Sequence, residues 1–144
     1  MAGILPRFLS MVAAVVIGGC GSSASAEAVA VVSVKNPVTS LTRDQVADIF
    51  LGKSVRFPDG HAAVPIDQVE GSATRDEFYL AFAGKSQAQL NAHWSRIIFT
   101  GRGQPPREVA NAAEVKRRLA SDPSAIGYIE PRLVDGSVKV VTAP

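Results

Sequence analysis

Residues 69–78, VEGSATRDEF, gather the groups in this chain best suited to holding an anion. Ser72 and Thr74 bring hydroxyl donors, and Gly71 lets a ligand come close to the backbone. Ala73 lies between the hydroxyls, Arg75 adds a fixed positive charge and Glu70 adds an acceptor. A helix that opens here would also expose unpaired N–H groups and the positive end of its dipole. The same residues admit a plainer use. Thr74 with Glu77 three positions on spells a capping box, in which hydroxyl and carboxylate serve only the helix's own backbone. Both uses stand at this point, because they draw on the same atoms.

Other chemistry finds little support. The sequence has no GxSxG, no P-loop, no HExxH and no paired carboxylates at a catalytic spacing, so no enzyme and no cofactor are expected. Cys20 is the only cysteine, which excludes an intrachain disulfide and a multi-cysteine metal site. His61 and His93 have no partner pattern and read as surface or packing residues.

The elements that must position these groups follow from composition and periodicity. A chain of 144 residues with 47% hydrophobic and 19% charged residues fits one globular domain. Its net charge of +2 gives no reason to expect nucleic acid. At the N-terminus, Arg7 precedes an apolar run over 8–17, too short to span a bilayer but suited to a signal peptide. Two processing readings stand. Ala24-Ser25-Ala26 would release a domain of residues 27–144 beginning at Glu27. Alternatively, Ile17-Gly18-Gly19-Cys20 resembles a lipobox, which would end the leader at 19 and lipidate Cys20. Either places the protein in the periplasm or another extracytoplasmic space.

Valine-rich or short apolar runs predict strands over 28–34, 62–66, 125–129 and 137–142. Helices are predicted over 42–51, capped by Thr42 and Gln45, and over 74–83, stopped by Gly84. A third opens at Ser86 and carries Leu90, Trp94, Ile97 and Ile98, with Trp94 as a core anchor. A fourth covers 111–120, with Ala112, Val115 and Leu119 inward and Lys116, Arg117 and Arg118 as a solvated face. Strands alternating with helices give an α/β domain.

Three of these segments also carry a resemblance. Asn36-Pro37 followed by LTRDQVADIFLGK resembles the "NP…LTRxQVADIFLGK" segment of the phosphate-binding proteins of ABC importers. Gly71-Ser72-Ala73-Thr74-Arg75 with Phe78 is similar to that family's "GSGTxxxF" loop, and PSAIGYI to its "PGAIGYV" strand. The three occur in the family's order. The resemblance implies one lobe of a type II periplasmic binding protein, in which phosphate lies between two α/β lobes. It also implies that the helix start at Ser72 to Thr74 contributes to phosphate binding. Phosphate or a related oxyanion is the implied ligand. An ABC permease or another envelope protein is a candidate partner, and so is a second copy of the chain.

Departures from the family pattern shape the expectation. Gln68 and Glu70 stand where the family has an arginine and an aspartate, Ala73 replaces its second glycine, and the match covers roughly one lobe. Losing the arginine removes a bidentate donor to phosphate. Arg75, Arg96, Lys53 and especially Arg102, between two glycines, would compensate if they converged; Arg102 equally fits a solvated loop. The expected function is a solute-binding-like protein for phosphate, the alternative an envelope partner-binding or sensor module that has lost tight phosphate binding.

Overall fold

In the computed structural model the described residues are 3 and 27–142, so the leader patterns and Cys20 lie outside them. The valine run forms β1 (Val29–Ser33). Helix α1 (Arg43–Phe50) opens at Thr42, whose side chain accepts from the Gln45 N–H at 3.1 Å while the Gln45 side chain accepts from the Thr42 N–H at 2.9 Å. Strand β2 (Val64–Gln68) leads into α2 (Ala73–Ala83), which Gly84 ends in the left-handed conformation, φ 62°. Ser86 and Gln89 cap α3 (Gln87–Phe99). Then come β3 (Arg107–Val109), α4 (Ala112–Ser121) capped by Asn111, β4 (Ala125–Ile129), a 3-10 turn at Pro131–Leu133, and β5 (Val138–Val140).

The five strands form one sheet in the order β3-β2-β4-β1-β5. β3, β2 and β4 run parallel, while β1 is antiparallel to both β4 and β5. Alternate strand residues serve two cores. Ala30, Val32, Ile126 and Tyr128 pack with α1 and α2, where Phe50, Phe78 and Tyr79 lie fully buried. Val31, Ile66, Ala125 and Ile129 pack with Val115 and Leu119 of α4 on the opposite face. Gly127 makes this second packing possible, since a Cβ there would sit 2.4 Å from Val115 Cγ1.

Three expectations shift. The strand expected over 62–66 becomes β2, two residues later, with Ala62 in an isolated bridge to Arg56. β3 was not foreseen; it is short and largely polar, and its extension comes from parallel pairing with β2. On α2, Arg75, expected among the anion-holding groups, is buried beside Tyr79. Trp94 is buried as expected, against Gly52.

Candidate anion-binding site

β2 has β3 on one side and β4 on the other, and the connections leaving β2 and β3 pass to opposite faces of the sheet. A crevice at the carboxyl ends of such strands is where α/β sheets bind ligands. Here that position holds a groove of about 810 Å³. One wall is the β2–α2 turn, with Gln68, Glu70, Gly71, Ser72 and Thr74. The other is the start of α4, with Asn111, Ala112, Ala113 and Lys116, and Glu130 closes the end of β4. Two helix N-termini therefore open onto one space. Their first N–H groups, at Ala73 and Thr74 and at Ala112 and Ala113, have no carbonyl to meet within their own helices.

The cap of α2 is Ser72, not Thr74. Its oxygen accepts from the Arg75 N–H at 3.3 Å and its hydroxyl donates to Gln68 Oε1 at 3.2 Å. Gln68 in turn donates through Nε2 to the Tyr128 carbonyl at 3.0 Å, which ties the cap to β4. With the cap two residues earlier, the Thr74–Glu77 capping box does not form. Thr74 instead donates to Glu130 Oε1 at 3.3 Å. Gly71 takes φ 91°, a conformation that favours glycine, and has open space around its Cα.

Arg75 turns inward. It is 6% exposed, with Nε 3.4 Å from Asp67 Oδ1 and a guanidinium N–H donating to Gln87 Oε1 at 2.7 Å. The Nε contact is an ion pair by distance but lacks hydrogen-bond alignment. Burial opposes the charge of Arg75, but Asp67, Tyr79, Tyr128 and Glu108 together outweigh it and the guanidinium pKa moves upward. Asp67 also accepts from Tyr79 Oη at 2.6 Å, from Tyr128 Oη and from the Gln68 N–H at 2.8 Å. This buried cluster links β2, β4 and α2.

The expected site residues therefore separate. Glu70, Gly71, Ser72 and Thr74 line the groove, and Ala73 begins the helix behind them. Arg75 is in the interior. Arg102, Arg96 and Lys53 are not among the lining residues, and Arg102 lies on the exposed loop after α3. The cation that does line the groove is Lys116, which the sequence had placed on a solvated face; it pairs with Asp135 at 2.8 Å. The Lys116 ammonium, helped by Ser137, holds the Asp135 carboxyl below its ordinary range. Asn111 and Lys116 were missed as site residues because their place depends on β3, the strand that gives α4 its start beside α2, and Glu130 because only the pairing of β4 with β2 brings it to the same groove.

The fold is that of a single α/β lobe of the type II periplasmic-binding-protein kind. Solved structures bear this out. A Clostridium perfringens protein of the phosphate ABC transporter substrate-binding kind, with bound phosphate, has a TM-score of 0.62 and 25% identity over 80% of this chain and 44% of its own. An ABC-type phosphate transport receptor from Vibrio cholerae gives 0.63 and 22% over 80% and 45%, and PstS from Borrelia burgdorferi gives 0.62 and 15% over 82% and 49%. The chain thus spans less than half the length of these structures. By name they are binding and transport proteins, not enzymes. No protein-family model and no curated protein matches the chain.

Proposed function

We propose that the chain is an exported solute-binding-like protein for phosphate or a related oxyanion, which it holds in the groove between the starts of α2 and α4. The convergence of those two helix N-termini carries the reading. Each supplies free N–H donors and the positive end of a dipole. Ser72 and Thr74 add hydroxyls and Lys116 adds charge from the α4 side. Glu70 and Glu130 are acceptors, so an oxyanion that carries a proton suits the groove better than one that does not. Delivery to an ABC permease is the partner role that goes with this reading, and residues 1–26 would direct export.

Titration calorimetry with phosphate tests the proposal. Saturable one-to-one binding is expected, and Thr74→Val should weaken it by about 1–3 kcal/mol, the range for a hydrogen bond to a charged group. If no binding is measured, the alternative holds: an envelope partner-binding module. That alternative is supported by the glutamine at position 68, which is occupied with Ser72 and Tyr128 rather than presenting a cation to the groove.

A further inference from the structure

Away from the groove, apolar surface and positive charge meet at the end of α3. The helix finishes in Arg96-Ile97-Ile98-Phe99, followed by Thr100-Gly101-Arg102. Leu90 and Trp94 hold its inner face in the fold. Phe99, by contrast, is 93% exposed and Ile98 54%. The Arg102 N–H donates to the Ile97 carbonyl at 3.1 Å, which folds the loop back and brings Arg102 to the same tip. Among the described residues, neither Arg96 nor Arg102 has an acidic partner. The sequence between Glu77 and Glu108 contains Lys85, Arg96, Arg102 and Arg107 but no aspartate or glutamate.

We propose that this tip docks on the surface of an anionic phospholipid bilayer. Phe99 and Ile98 would enter the boundary between headgroups and acyl chains, and the two guanidinium groups would bond lipid phosphates. The tip's hydroxyl, on Thr100, donates back to the Arg96 and Ile97 carbonyls. It therefore offers little side-chain polarity beyond its cations, which suits a soft, negatively charged surface that needs no matched acceptors or donors. Arg107 starts β3 and the groove residues Ala110 and Asn111 follow its other end, so the tip and the groove lie at opposite ends of that strand.

Vesicle flotation of the full chain tests the docking, with equimolar phosphatidylglycerol and phosphatidylcholine against phosphatidylcholine alone. Partition to the anionic vesicles is expected, falling as salt is added. Phe99→Ser should reduce it about tenfold, in line with the transfer of a large apolar side chain. Arg96→Gln and Arg102→Gln should each reduce it about fivefold. Residues 1–26 are common to all these proteins, so their contribution is a constant background, fixed by the partition to phosphatidylcholine alone and subtracted before the ratios are taken. Phe99→Trp provides a second reading, because lipids brominated on their acyl chains should quench its fluorescence. Unchanged partition in the Phe99→Ser and arginine variants, or an unquenched tryptophan at 99, would overturn the proposal. So would self-association that Phe99→Ser abolishes without any vesicle binding, which would make a second copy the occupant.

Discussion

Ser72 accepts the Arg75 N–H at the start of α2, while the Thr74 hydroxyl, two residues on, is directed to Glu130. Their substitutions should therefore part company. Ser72→Ala should cost about 1 kcal/mol of stability through the lost cap. Thr74→Val should leave stability nearly unchanged, and chemical denaturation of the two variants beside the parent checks this. Deeper in, Asp67 is the common acceptor for two tyrosines and lies beside Arg75. Asp67→Ala would leave the buried Arg75 with only the more distant Glu108, at 3.9 Å, and a loss of about 3 kcal/mol is expected. Burial first, then the charge of Asp67 and the bonds to it, push the Tyr79 and Tyr128 hydroxyls well above their ordinary pKa. The folded state keeps these protons where the unfolded chain releases them, near pH 10. Stability is thus full below about pH 10 and declines above it, by about 1.4 kcal/mol per pH unit for each tyrosine. A flat unfolding profile through that range would show that the hydroxyls titrate normally. The hydroxyls and glycine around the start of α2 stood out in the sequence and do line the groove, but the inward turn of Arg75 was not legible. Its partners Asp67 and Gln87 are supplied by other elements, and nothing local marks them.

Elements with their own punctuation were read closely from sequence. Thr42 with Gln45, Ser86 and Gly84 mark helix ends by local bonds that need no tertiary partner. β3 lacks such a mark. Its Arg-Glu-Val is extended because β2 pairs with it, so it follows from the sheet and cannot precede it. The second wall of the groove was hidden for the same reason, since the start of α4 depends on that strand. Between α4 and β4 the contact is set by one missing side chain. Gly127→Ala would drive a methyl to 2.4 Å from Val115 Cγ1. Overpacking of this kind costs about 1–3 kcal/mol. Val115→Ala in the same protein should return part of that loss, giving a favourable coupling in a double-mutant cycle of melting experiments. Strict additivity would mean that the helix shifts as a body and the two residues do not share the strain.

At the scale of the whole, the described residues form one lobe with one groove wall on each side of β2. The groove is open to solvent, so hydrogen bonds to an anion compete with water and the total stays modest. On the proposed function, the chain alone should bind phosphate with a Kd of roughly 0.1–10 mM, equivalent to about 3–5 kcal/mol. Calorimetry at several protein concentrations, with light scattering alongside, checks this; submicromolar binding by a monomer would show that one lobe suffices. The sheet also sets how the molecule yields to force. β1 leads into the sheet and β5 leads out of it as antiparallel neighbours, with Val31 opposite Val140 and the Val141 N–H bonded to the Ala30 carbonyl. The described chain therefore enters and leaves at the same end of this strand pair. A pull applied through residues 27 and 142 loads those hydrogen bonds one after another, like a zipper, instead of shearing them together. The lobe should give way at low tension from its ends, although the same sheet resists when it is gripped across β2 and β4, whose parallel pairing must slip as a unit.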